Sequence, residues 1–222
     1  MGLIQTDAKV YLHSSESMQE IKTGTTKLLL GAGVYLGSDA NWMDYRDLYT
    51  DVYLLEGHRI VSQDGLLITF QTDSYHQGSY IPRGHRLLKL LDGPSWELID
   101  TRIWMRSEIN LRQPSISHVL IFRPRGGTAS RQKMNIKGKK PWMQNVWPWP
   151  QVAGSELNAW PQEMSKVIIQ TCTEENDLVV DCFAGTSSLL ALAATMHRKA
   201  IGYEINKDLV RTIQDNGVQV VT

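Results

Sequence analysis

Residues 177–206, DLVVDCFAGTSSLLALAATMHRKAIGYEIN, decide how the rest of the chain reads. Positions 178–180 form a short apolar, β-branched run that ends on Asp181. Phe183-Ala184-Gly185-Thr186-Ser187-Ser188 then brings in turn formers, and residues 189–196 carry apolar side chains at helical spacing. Such a succession predicts strand, tight turn and helix. A second apolar run at 199–202 follows at βαβ distance and delivers Glu204 to its carboxyl end, about twenty residues past the turn. In units of this kind, small turn residues let bare backbone and a helix amino end approach a ligand, and a carboxylate at the next strand tip accepts from ribose hydroxyls. The turn is not Gly-x-Gly-x-x-Gly, which disfavours a dinucleotide. Any parallel α/β protein containing a strand, a glycine turn and a helix remains the alternative at this point.

Composition bounds the choice. The 222 residues suffice for one domain with a proper core, and 42% hydrophobic content fits neither a disordered nor a membrane-embedded chain. With 23 basic and 23 acidic residues the formal net charge is zero, so attraction to nucleic acid can come only from a local patch. Cys172 and Cys182 lie in or beside apolar runs without metal-ligand spacing, as expected of buried intracellular thiols. No signal-like segment opens the chain and no apolar run approaches the roughly 18 residues of a membrane span, so the expectation is a soluble protein, cytoplasmic or with DNA in a nucleoid or nucleus, that binds no metal.

Taken in order, residues 9–13 alternate like a strand, 14–22 read as a short helix opening on Ser14 or Ser15, and 27–30 form a second strand. That strand empties into Gly31-Ala32-Gly33-Val34-Tyr35, a flexible loop at a strand carboxyl end, where open α/β sheets keep their ligands. Residues 42–60 are helix-compatible, 65–70 read as a strand, 81–91 as a helix, and 96–104 and 117–122 as two strands that could pair antiparallel. A helix over 162–172, opened by Pro161, feeds the strand at 178. A helix over 207–214 and a terminal strand over 218–221 close the chain.

The stretch 123–150 differs in character. Arg123, Arg125, Arg131, Lys133, Lys137, Lys139 and Lys140 occur there without an acidic residue, and Trp142, Trp147 and Trp149 follow among Pro141, Pro148 and Pro150. A solvated loop would account for the charges but not for the tryptophans. Cations for phosphates and aromatics for unstacked bases fit a nucleic-acid contact segment.

The order of these parts resembles the permuted, β-group DNA adenine-N6 and cytosine-N4 methyltransferases, in which the catalytic half precedes the cofactor half. The resemblance runs from about Lys9 to Gln214. It rests on Arg59 ahead of the 65–70 strand, Ile103-Trp104 before Arg106, 117–122, Val146-Trp147, Ala159-Trp160-Pro161, and the Asp181-x-Phe183-x-Gly185-Thr186 turn with Glu204. It implies a single Rossmann-like α/β domain over 1–222, with a mostly parallel seven-stranded sheet, helices on both faces and a short target-recognition insertion at 123–157. It further implies an S-adenosylmethionine site in which Asp181, Phe183, Gly185 and Thr186 shape the methionine end, Glu204 holds the ribose, and Trp160 and Pro161 line the neighbouring pocket. DNA would be met by Arg125, Arg131, Lys133, Lys137, Lys139, Lys140 and Trp142.

One element departs from that pattern. Family members carry Asp, Asn or Ser, then Pro-Pro, then an aromatic, in the acceptor loop; here the aligned residues are Ala32-Gly33-Val34-Tyr35. Only Tyr35 keeps the chemistry, because Ala32 accepts nothing and Gly33 lacks the rigidity that fixes a carbonyl. Losing one preorganised hydrogen bond costs roughly two to three powers of ten in rate. Asp39, or Asp73-Ser74-Tyr75 at the neighbouring strand end, could substitute. Ser187, where a second glycine is usual, could crowd the cofactor. The expectation is therefore a methyltransferase-like DNA binder with impaired or absent catalysis. The alternatives are a non-catalytic partner of an active methyltransferase, a DNA- or protein-binding regulator, and transfer to another nucleobase or to RNA; the assembly expected is a homodimer or a heteromer with an active methyltransferase.

Overall fold

The computed structural model describes residues 7–31, 40–105, 116–137, 142–150 and 160–222. The chain opens with β1 (Ala8–Tyr11) and β2 (Thr26–Gly31); α1 (Trp42–Tyr49) continues through a π-helical stretch (Thr50–Gly57) into the single turn α2 (His58–Ile60). Then come β3 (Val61–Gln71), the hairpin strands β4 (Ser74–His76) and β5 (Ser79–Ile81), α3 (Arg83–Leu91), β6 (Trp96–Met105) and β7 (Ile116–Pro124). Next are α4 (Arg131–Lys137), β8 (Val146–Trp147) and α5 (Gln162–Cys172). The cofactor-type unit is β9 (Leu178–Asp181), α6 (Ser188–Thr195) and β10 (Lys199–Tyr203), followed by α7 (Val210–Asp215) and β11 (Gln219–Val221).

Strand order in the main sheet is β11-β1-β10-β9-β2-β3-β7-β6-β8. All neighbours are parallel except β7, which runs antiparallel to both β3 and β6. Among the described residues the sheet has nine strands where seven were expected; β8 and β11, the two at its edges, are two and three residues long. At its centre β9, from late in the chain, lies against β2, from early in the chain, so the second half of the sequence docks on the first in permuted order.

Side chains alternate across the central strands. Leu28, Leu30, Leu66, Ile68, Phe70 and Val179 pack under α5, α6 and α7, whereas Leu29, Leu67 and Val180 meet Tyr45, Tyr49, Val52 and Tyr53 on the other face. Both faces are covered by helices, as a mostly parallel sheet requires.

Three local expectations need correction. Residues 14–22 form turns instead of a helix, because their backbone is held by side chains: Met18 N–H donates to Glu56, and Arg59 donates to the carbonyls of Met18 (2.8 Å) and Ile21 (2.9 Å). The helix expected from 81 begins at Arg83, since Ile81 pairs with Ser74 in the hairpin and Pro82 caps the helix. The segment 123–150 is more than a loop: α4 lies within it, and β8 adds to the sheet edge beside Ile103 and Trp104.

Candidate active site

The carboxyl tips of β1, β10, β9, β2 and β3 lie side by side. Asp181 ends β9, and its carboxylate accepts the Phe183 N–H at 3.1 Å. Burial, offset in part by that bond and reinforced by the nearby Glu204 charge, pushes its pKa up to about 7. The turn then uses positive φ at Gly185 (51°) and Ser187 (62°) before α6 begins. Glu204 reaches back from the end of β10, accepting Gly185 N–H at 2.8 Å and Asn206 N–H at 2.7 Å. Both oxygens are thus fixed by backbone donors, and the carboxylate orients the glycine turn. Gly202 lets the turn and α6 sit close on β10, since a Cβ there would meet the Leu190 side chain of α6 and lie 2.8 Å from the Ala184 Cβ of the turn.

A cavity of about 300 Å³ opens beside this turn, lined in part by His13, Ser15, Phe183, Tyr203, Glu204 and Ile205. Ile205 is 70% exposed next to the Glu204 carboxylate, so an apolar face and a hydrogen-bond acceptor adjoin one another. This combination suits a ligand with a flat ring and hydroxyls. Ser187 was expected to crowd such a ligand, but its side chain is buried and is not among the residues lining the cavity.

The acceptor-side strand is immediately adjacent. Leu30 is the register partner of Asp181, and Cys182 N–H donates to the Leu30 carbonyl at 2.9 Å. Gly31 is needed there because the Tyr53 ring packs on it: a Cβ would lie 2.6 Å from Tyr53 Cζ. Tyr53 in turn meets Phe183 edge-on and stacks on Tyr49 at 5.4 Å. Burial raises the Tyr53 hydroxyl well above the ordinary tyrosine range, so it stays protonated. Together with Thr69 Oγ1 and Gln71 Nε2, it is a buried polar group without a partner among the described residues. Ala32, Gly33, Tyr35 and Asp39 lie outside the described residues. Asp73, the alternative acceptor, is tied elsewhere: it accepts from the Tyr80 hydroxyl and Gly84 N–H and faces His118 Nε2 at 3.2 Å.

The structure therefore brings Asp181, Phe183, Gly185 and Glu204 together. Thr186 instead receives Asn216 Nδ2 at its carbonyl (2.7 Å). Trp160 packs on Phe70 with ring centroids 4.1 Å apart, and Pro161 starts α5; neither is among the described lining of the Glu204 cavity. Sequence reasoning missed His13, Ser14, Ser15, Glu16 and Leu48 in that lining. Four of them follow a strand carboxyl end, the same signal that singled out Gly31, but the helix expected over 14–22 obscured it.

The basic segment needs the largest revision. Trp142 is fully buried, as is Trp147, and the two rings pack at 5.4 Å. Trp142 therefore offers no face to a base; its carbonyl and that of Trp149 accept from Arg102 and Trp104. Arg125 donates to the carbonyls of Gly93 (2.8 Å) and Trp96 (3.0 Å). Arg131 Nε lies 3.4 Å from Asp100, and Lys133 donates to the Thr128 carbonyl. The side chains of Lys137, Lys139 and Lys140 lie outside the described residues. Among described residues, no group of three or more His, Cys, Asp or Glu could hold a metal, and no helix is long and apolar enough to cross a membrane. Cys172 and Cys182 are both buried.

A family model described as DNA methylase, N6_N4_Mtase, matches residues 44–215. Among solved structures, the PvuII DNA methyltransferase (cytosine-N4-specific) is similar with a TM-score of 0.77 and 16% identity, over 95% of this chain and 86% of that one. A Thermus thermophilus protein assigned as a DNA modification methylase, complexed with S-adenosyl-L-methionine, is similar with a TM-score of 0.75 and 17% identity, over 96% and 98%. M1.HpyAVI in its SAM complex gives a TM-score of 0.64 at 14% identity, over 94% and 98%. No curated protein sequence matches.

Proposed function

This chain belongs to the N6/N4 DNA methylase family, and from that membership we propose that it binds S-adenosylmethionine in the Glu204 cavity and presents DNA to it, with methyl transfer slowed by its acceptor loop. The observation that carries the reading is the meeting of two half-sites: Gly31 at the tip of β2 beside Asp181 and the Glu204-braced turn at the tips of β9 and β10. The cofactor supplies an electrophilic methyl group. Glu204 is placed to accept ribose hydroxyls, Ile205 to cover a flat ring, and buried Asp181 to become ionised when a cationic group is brought near it.

On the acceptor side, an exocyclic amino nitrogen is a poor nucleophile, and family loops raise its reactivity by accepting its hydrogens. Ala32 and Gly33 supply neither the side-chain acceptor nor the fixed proline carbonyl. A second reading, a non-catalytic subunit beside an active methyltransferase, draws on that same loss.

Calorimetric titration with S-adenosylmethionine tests the first half of the proposal. Glu204→Ala is expected to weaken binding roughly ten- to a hundredfold, the worth of a charged hydrogen-bond acceptor; a wild-type chain that binds no cofactor would end the proposal. Transfer of labelled methyl to DNA tests the second half. Restoring the loop with Ala32→Asp, Gly33→Pro and Val34→Pro together should raise the rate by about a hundredfold or more. No gain from a cofactor-bound restored protein would favour the non-catalytic reading.

A further inference from the structure

The β4–β5 hairpin leaves the sheet just past Gln71 at the carboxyl end of β3, whose Thr69 is the register partner of Gly31. It carries Tyr75 and Tyr80, 69% and 54% exposed, the aromatic members of the exposed large apolar side chains among the described residues. The two are register partners, so their rings stand on one face of the ribbon, with centroids 5.6 Å apart. The tight turn uses positive φ at Gln77 (47°) and Gly78 (77°), the two-residue geometry whose twist suits a hairpin.

An isolated two-stranded ribbon is marginal in water, but this one is pinned at its root. The Tyr80 hydroxyl donates to Asp73, which also accepts Gly84 N–H. Arg83 donates to Ser74 Oγ at 3.0 Å and to the Tyr45 hydroxyl at 2.8 Å. Tyr80 is thus held in one orientation and Tyr75 stands against its ring, both with faces in solvent, and an exposed aromatic pair marks a contact surface.

Two arginines stand beside it at the start of α3. Arg83, His85 and Arg86 open α3 with no acidic residue in the first turn, and the Arg86 guanidinium sits over Trp42, 5.5 Å from the ring centre. Of the nearby carboxylates, Asp47 is paired with Arg46 and Asp44 accepts the Asn41 N–H; Asp44 and Asp73 keep their negative charge, so the Arg86 guanidinium acts locally and not as part of a net positive field. Stacking faces, a local positive charge and continuity with the acceptor strand point to a polyanion with exposed ring faces.

Resting on the reading of the chain as a DNA methylase, we propose that the β4–β5 hairpin contacts the DNA strand beside the target nucleotide, with Tyr75 and Tyr80 stacking on unstacked bases and the start of α3 facing the phosphates. This assigns to the hairpin the role that the buried Trp142 and Trp147 cannot fill.

The test uses the full chain, with fluorescence anisotropy of a labelled mixed-sequence oligonucleotide, single-stranded and duplex, beside calorimetric titration of S-adenosylmethionine. Tyr75→Ala and Tyr80→Ala are each expected to weaken single-strand binding about tenfold, within the range for base–aromatic stacking. Tyr75→Phe keeps the ring and the affinity, Arg86→Gln lowers the single-strand salt slope by about 0.7, and cofactor binding is unchanged throughout. Alanine variants that bind DNA like the wild type would overturn the hairpin assignment and leave the parent reading intact. A Tyr75→Phe loss as large as that of Tyr75→Ala would overturn it too, by showing that the ring is not what binds. A wild type that binds cofactor but neither form of DNA would remove the parent reading and this inference together.

Discussion

Residues 178–204 and residues 123–150 are equally conspicuous in the sequence, and the fold treats them in opposite ways. In the first, the residues that stood out come together: Asp181, Phe183, Gly185 and Glu204 meet around one turn, held by hydrogen bonds of 2.8–3.1 Å. In the second, the residues that stood out serve the architecture. Trp142 and Trp147 are core, and Arg125 and Lys133 are spent on backbone carbonyls. A βαβ turn is a local object whose geometry follows from its own residues. Whether a tryptophan faces solvent is decided by what the rest of the chain places above it.

The strongest way to break this contrast is Trp142→Ala. As a core residue it should lose about 3–5 kcal/mol of stability in urea denaturation; a stable variant with lost DNA affinity would return Trp142 to the surface role first expected. In the other region, Gly202→Ala should cost about 1–3 kcal/mol by overpacking α6 against β10, and should weaken cofactor binding as the turn shifts.

A third test is pH. An aspartate with a folded pKa near 7, against about 3.9 when unfolded, holds its proton in the folded state across that window. The contribution of Asp181 to stability is therefore full below about pH 4 and is lost as pH rises toward and through 7, by up to about 1.4 kcal/mol per unit. Asp181→Asn should remove the slope, measured as thermal stability against pH. The smallest effect is expected from Arg125→Ala, about 1 kcal/mol from lost hydrogen bonds, with DNA affinity unchanged if its carbonyl contacts are its main role.

Much of the fold was legible because it is periodic or punctuated. The helix 162–172, the strands 178–180 and 199–202, and the antiparallel pairing of β6 with β7 all match their patterns. The failures share a cause. The 14–22 stretch has helix-like composition, but Arg59 and Glu56, some forty residues away in sequence, take its backbone groups. Ser187 in a left-handed conformation likewise defeats a rule written for glycine. Ser187→Gly should stabilise the chain by about 1–2 kcal/mol by relieving that conformation.

By itself the sequence determined the permuted order of two α/β halves, the strand–turn–helix–strand unit from Asp181 to Glu204, and a 32–34 segment without a polar side chain or prolines, because these depend on residue type and spacing along a few turns of chain. Tertiary structure alone decided that the tryptophans lie inside, that the 14–22 segment becomes a cavity wall, and that an exposed aromatic pair stands beside the acceptor strand. Those outcomes depend on which distant side chains compete for the same backbone groups and the same apolar space, and no local pattern encodes that competition.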